Sequence, residues 1–150
     1  MYRKTDLAYL AGFYDGEGSI QIVHQKTKRN KNNFSLQIRL FNTNLKVLYY
    51  YWNIFKLGHI YQRKGTNKLI YTWVIYSNEA KTLLSHLLPY LIIKKKQVKI
   101  GIHFQNRIIK LNSRGKLLTN TEQKIREKMR LQISKLNIRS GGNNKVPVKF

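Results

Sequence analysis

The chain has 150 residues, 42% hydrophobic and 12% aromatic, with 29 Lys and Arg against 6 Asp and Glu and a formal net charge of +23. That length suits one domain or one protomer of an oligomer. The apolar content excludes a disordered basic tail, and the charge calls for a polyanionic partner, nucleic acid ahead of an anionic membrane surface. Without cysteine there is no disulfide scaffold, thiolate zinc site or cysteine nucleophile. The four histidines lack metal-ligand spacing, no apolar run is long enough to span a bilayer, and the N-terminal segment carries no signal-peptide pattern. Lys, Asn, Ile and Tyr, all specified by AT-rich codons, make up 60 of the 150 residues, which suggests an AT-rich genome such as an organellar one.

In chain order, Asp6 is expected to cap a first helix over about 7–15, ended by Gly16 and Gly18. Alternation then predicts a strand over 18–27. After a polar turn a second strand follows, with Phe34, Leu36, Ile38 and Leu40 on one face and Ser35, Gln37 and Arg39 on the other. A helix over about 45–57 buries Leu45, Leu48, Tyr49, Trp52 and Phe55, with Gly58 as its stop. Two more strands, about 59–64 and 68–76, flank a turn at Gly65. Ser77 or Asn78 caps a third helix that ends at Pro89, and another runs through Ile100, Phe104 and Ile108. Thr119 and Glu122 have capping-box spacing for a final helix with Ile125, Met129, Ile133 and Leu136 inward. The expectation is one α+β domain over 1–150: a mixed, mostly antiparallel sheet backed by helices, a core over about 5–110, C-terminal helices over about 111–139 and a loose tail over 140–150.

Leu10 to Ser19, LAGFYDGEGS, is the informative segment. Ala8, Gly12 and Gly16 recur every four residues and share one helix face, where they either pack on the chain's own core or admit a second helix at close range. Two of the six acids, Asp15 and Glu17, stand together at the helix C-terminus, where the dipole disfavours them. Oxygen ligands held against both the dipole and the global charge point to a divalent cation such as Mg²⁺.

This segment resembles the motif of the LAGLIDADG homing endonucleases, and the αββαββα order resembles that family's core with its saddle-shaped sheet. The single copy is similar to the homodimeric branch. The resemblance implies Glu17 as the metal-binding acid, with the Gly16 carbonyl as a further ligand of Mg²⁺ or another divalent cation. It implies a helix interface of Ala8, Gly12, Asp15 and Gly16 that brings both Glu17 side chains to the centre. Asn42 falls where the family has a water-orienting Gln, Lys46 at a basic site near the scissile phosphate, and Lys94, after Pro89-Tyr90-Leu91, at a lysine acting on the transition state or the water. The implied activity is metal-dependent cleavage of double-stranded DNA leaving short 3′ overhangs, with no small-molecule cofactor. The localisation expected is organellar, the mitochondrion ahead of the chloroplast, or wherever the host intron resides.

A strand of ten residues spans about 33 Å, close to one duplex turn, and a two-stranded ribbon fits the major groove, so two protomers would read roughly 20 base pairs. The polar face then offers Gln21, Val23, Gln25, Ser35, Gln37 and Arg39 to base edges. Lys26, Lys28 and Arg29 at the hairpin tip suit phosphates, and Tyr61, Arg63 and Lys64 belong to the second hairpin. Strand 68–76 is apolar on both faces, which leaves its DNA side open. A maturase that grips a group I intron RNA would share the fold but has no need of Glu17. An architectural nucleic-acid binder would explain the charge but not Asp15-Gly16-Glu17. No amphipathic basic helix suggests a membrane role.

Overall fold

The computed structural model describes residues 2–25, 33–111 and 118–137, and the statements below concern those residues. The hairpin-tip residues Lys26, Lys28 and Arg29 and the tail over 140–150 lie outside them.

Helix α1 (Lys4–Glu17) begins earlier than expected. Asp6 is not its cap but a first-turn residue, where the Arg3 guanidinium donates two hydrogen bonds to its carboxylate (2.8 and 3.0 Å). Leu7, Leu10, Ala11 and Tyr14 face the core. Gly16 is still helical, and Gly18 makes the exit. A Cβ at Gly18 would stand 2.3 Å from the Tyr14 ring, so only glycine lets the chain leave in extended form beneath that ring.

Strands β1 (Gly18–Gln25) and β2 (Asn33–Asn42) form the first hairpin, β3 (His59–Lys64) and β4 (Leu69–Tyr76) the second. The sheet order is β1-β2-β4-β3 and every pairing is antiparallel, so the described sheet is not mixed. Its inner face carries Ile20, Ile22, Leu36, Ile38, Leu40, Trp73 and Ile75, all buried. Helices α2 (Leu45–Phe55), α3 (Ser77–Leu87) and α4 (Lys95–Leu111) pack on that face beside α1, and α5 (Asn120–Asn137) packs on α4 and β1. Gly101 lets α4 approach the sheet, since a Cβ there would meet the Ile20 Cδ1 methyl at 2.6 Å.

Helix α2 is rotated from the expected stripe. Leu48, Tyr51 and Phe55 are buried, whereas Leu45 and Tyr49 are exposed, because Tyr51 stacks parallel to the buried Trp73 (6.4 Å between centroids). Asn44 caps α2 by accepting from the Lys46 N–H at 3.0 Å. Neither Ser77 nor Asn78 caps α3: Ser77 is its first residue and the Asn78 amide accepts from Gln105 instead. In α5, Thr119 Oγ1 accepts from the Glu122 N–H (3.2 Å), while the Glu122 carboxylate turns inward to Arg107 (2.6 Å) and Arg126 (2.8 Å). Leu136, expected inward, is exposed near the end of that helix.

Candidate functional site

Six acids in a chain of charge +23 can be accounted for one by one. Asp6 is paired with Arg3, and Glu79 accepts the Gly58 N–H at 3.0 Å. Glu122 joins Arg107 and Arg126, and Glu127 joins Arg130. The carboxylate of Asp15 accepts three backbone N–H groups, from Ile92 (2.8 Å), Ile93 (3.2 Å) and Lys94 (2.9 Å), in the segment that leads into α4. Glu17 alone has no hydrogen-bond or ion-pair partner among the described residues, and its side chain is exposed at the end of α1. A lone carboxylate gains nothing for the fold at a helix C-terminus, where the dipole opposes it.

The two acids of the motif therefore do different work. Asp15 is buried and ties the end of α1 to the start of α4 across 79 residues of sequence. It faces into the protomer, not outward with Ala8, Gly12 and Gly16 as expected, because its carboxylate is fully engaged by the 92–94 backbone. The Lys94 ammonium returns across the same junction and donates to the Asp15 carbonyl oxygen. Tyr14, fully buried beside them with no partner for its hydroxyl, is held protonated well above the ordinary tyrosine range by burial and then by the Asp15 charge.

Glu17 opens onto a cleft of about 750 Å³ whose walls include Lys94, Gln97, Asn137, Phe41 and Ile93. Gln97 donates to the Leu136 carbonyl (3.2 Å) and Asn137 to the Ile20 carbonyl (2.7 Å), which clamps the end of α5 beside the cleft. Sequence reading missed Phe41, Gln97 and Asn137, since no local pattern marks them and only the packing of α5 on β1 brings them here. Conversely, Asn42 and Lys46 do not line this cleft. The Asn42 amide oxygen accepts the Asn44 N–H (2.7 Å) in a turn, and Lys46 lies in a separate cavity with Tyr49 and Tyr71.

No group of three or more His, Cys, Asp or Glu able to hold a metal occurs among the described residues. The cleft offers one free carboxylate and, in the last helical turn, the Gly16 carbonyl, beyond the helix's own supply of N–H donors. Such a sparse oxygen set does not fit zinc, but it fits an ion that keeps several waters and takes further oxygens from a phosphate, as Mg²⁺ does.

The outer sheet face follows from the register. Gln21 is opposite Gln37, and their side chains hydrogen-bond to each other; Val23 is opposite Ser35, and Ser19 opposite Arg39. Arg39 pairs with Val74, which pairs with His59, and Thr72 pairs with Tyr61. Directly paired residues share a face, so Ile70, Thr72, Val74 and Tyr76 of β4 join Arg39, Tyr61 and Arg63. The register thus assigns each residue of the strand that is apolar on both sides to one face of the sheet. Gln25 stands at the far end of β1 on the same alternation. Lys64, however, pairs with Leu69 one step out of phase with Arg63, so it belongs to the helix-side face at the hairpin end, against expectation.

On α1, Ala8, Gly12 and Gly16 are exposed, and a Cβ built on either glycine meets nothing within 4 Å. The stripe does not pack on this protomer's own core.

A family model described as LAGLIDADG endonuclease matches residues 10–107. The probable intron-encoded endonuclease Cox1-I1b of Schizosaccharomyces pombe is 37% identical over 65 residues, 42% of this chain and 17% of that protein, so this chain spans less than a fifth of that relative. An archaeal intron-encoded homing endonuclease, I-Vdi141I, complexed with DNA, superposes with a TM-score of 0.76 at 20% identity, over 94% of this chain and 88% of that one. The homing endonuclease I-CvuI in complex with its target gives 0.73 at 20% identity, over 91% and 85%. The meganuclease I-AabMI bound to uncleaved DNA gives 0.66 at 22% identity, over 83% of this chain but only 43% of that one. These structural likenesses establish a common fold.

Proposed function

Since the chain belongs to the LAGLIDADG endonuclease family, we propose that it is a site-specific, double-strand DNA endonuclease. It acts as a homodimer on a pseudo-palindrome of roughly 20 base pairs and leaves short 3′ overhangs. The observation that carries this reading is Glu17, the one acid of six that the described fold leaves unpartnered, at the mouth of a cleft shared with Lys94. An RNA grip without cleavage gives no reason to maintain that carboxylate against the helix dipole.

Glu17 and the Gly16 carbonyl would hold a divalent cation, with Mg²⁺ favoured by the oxygen-only ligand set. When bound, that ion supplies charge neutralisation at the scissile phosphate and lowers the pKa of the attacking water. The protein's own part is positional. Asp15 fixes the 92–94 backbone, so that Lys94 stays within reach of the pentavalent phosphorane's developing negative charge and of the water. Phe41 and Ile93 give the cleft an apolar rim that limits bulk water and strengthens these interactions. Asn42 and Lys46, outside the cleft of one protomer, take part only through contact with the DNA backbone.

The open space at Gly12 and Gly16 supports a close approach of two α1 helices, and in such a dimer one Glu17 from each protomer would stand near the two-fold axis, opposite one strand of the duplex. On the outer sheet face, Gln21 and Arg39 read adenine and guanine edges in the major groove, with Val23, Ser35, Tyr61 and Arg63 beside them, while Gln37, buried in the sheet, accepts from Gln21 and orients it. An intron-borne reading frame in a mitochondrial genome suits both the AT-rich composition and the curated relative.

The test is selection from a randomised duplex library in Mg²⁺ and again in Ca²⁺. A single recovered site family with two-fold symmetry, cut in Mg²⁺ to 3′ overhangs, is the expected outcome. Sequence-selective binding with no cleavage under any divalent cation would overturn the nuclease reading.

A further inference from the structure

Toward the protomer, Arg126 of α5 is buried against Glu122. On the flank of the helix the half-exposed Arg130 and Glu127 bond each other at 2.6 Å, which neutralises that carboxylate. Next to this pair Lys124, Lys128 and Lys135 are all exposed, and none has a hydrogen-bond or ion-pair partner among the described residues. Spacings of four and seven residues put the three within a narrow arc of the helix, along about 16 Å of its length. The three lysines share the walls of a cavity of about 850 Å³ between α5 and the hairpin with His24, Phe34, Glu127 and Leu131.

The direction of α5 is fixed at both ends. Asn137 bonds the Ile20 carbonyl near the start of β1, and Glu127 lies 4.0 Å from His24 near its far end. The helix thus runs antiparallel along the edge of β1, and its lysine stripe runs parallel to a strand that the proposed reading lays along a DNA half-site. We propose that Lys124, Lys128 and Lys135 form a phosphate rail: a second, sequence-independent contact that grips the backbone of the same duplex beside the outer sheet face. A rise of 3.4 Å per base pair makes the stripe's ~16 Å about five base pairs long, enough for two or three phosphates. Its role is affinity and register of the duplex, while base edges are read by the sheet. The rail rests on the DNA reading given above, and the test separates the two.

The combined variant Lys124→Gln, Lys128→Gln, Lys135→Gln is compared with wild type and with a control, Lys81→Gln, Lys99→Gln, Lys110→Gln, that removes equal charge from α3 and α4. Duplex affinity is measured across a salt series on the selected site and on a scrambled one. The rail predicts a log–log salt slope shallower by about 2–3 for the α5 variant, at roughly 0.9 per lost contact. Weakening should be equal on both duplexes, base preference unchanged, and the slope of the control close to wild type. Equal slope changes in the two variants would overturn the rail and leave the DNA reading standing. An α5 slope equal to wild type would do the same. A wild type that binds no duplex would overturn both.

Discussion

Asp15→Ala separates the two motif acids most sharply. The carboxylate of Asp15 accepts three backbone N–H groups at 2.8–3.2 Å, from a residue only 8% exposed. Hydrogen bonds to a charged group contribute about 1.5–3 kcal/mol each, but they are not additive around a single carboxylate, and water can reach the 92–94 backbone once the side chain is gone because Ile92 and Ile93 are exposed. The expected loss is therefore about 2–4 kcal/mol, well below three full bonds. At roughly 2–4 °C per kcal/mol for a chain of this size, Tm should fall by about 4–16 °C. Cleavage should fall with it, since Lys94 loses its anchored backbone. Thermal unfolding followed by circular dichroism measures the first effect, and single-turnover cleavage below the lowered Tm the second. Wild-type stability in Asp15→Ala would refute the assignment of this acid to the α1–α4 junction.

Three further predictions concern interface, packing and acid response. Gly12→Leu adds a side chain where the protomer has open space, so the monomer fold should survive and the dimer should not; a sedimentation coefficient still that of a dimer would remove the α1 interface. Gly101→Ala should cost about 1–3 kcal/mol through its 2.6 Å approach to the Ile20 Cδ1 methyl, and Ile20→Val, which deletes that methyl, should recover part of the loss in a double-mutant cycle. Additive losses would place the clash elsewhere. For Glu122, burial pushes the carboxyl up, but the bonds from Arg107 and Arg126 outweigh it and hold the folded-state pKa below the ordinary 4.5. The stabilisation is thus complete above about 4.5 and is lost as pH falls through the depressed value. Chemical unfolding at pH 3–6 should show Glu122→Gln with a flatter acid limb than wild type; identical limbs would contradict it.

The fold was legible wherever one periodicity ruled a segment. Ile20 and Ile22 against Phe34, Leu36, Ile38 and Leu40 define the first hairpin, and the helix that ends in LAGFYDGEGS defines the entry to the cleft. The errors arose where the decisive partner is distant in sequence. Tyr51 outcompetes Tyr49 for the core because Trp73, on β4, stacks on it. Asp15 reads as a misplaced charge until the Ile92, Ile93 and Lys94 amides, nearly eighty residues away, are folded onto it. The face of β4 became readable only through its pairing with Arg39, because a strand apolar on both sides has no alternation to follow. Glu17 was found by its mismatch with a helix C-terminus, and the structure sharpens that signal by giving every other acid a partner.

The central claim is that Glu17 serves chemistry and not the fold. The most direct measurement compares wild type with Glu17→Gln on the selected duplex in Mg²⁺, recording Tm, affinity and single-turnover cleavage on the same preparations. The account predicts unchanged Tm, site-specific binding retained, and cleavage of both strands abolished. A Glu17→Gln protein that still cuts, or one that fails to cut only because it has lost its fold, would contradict it.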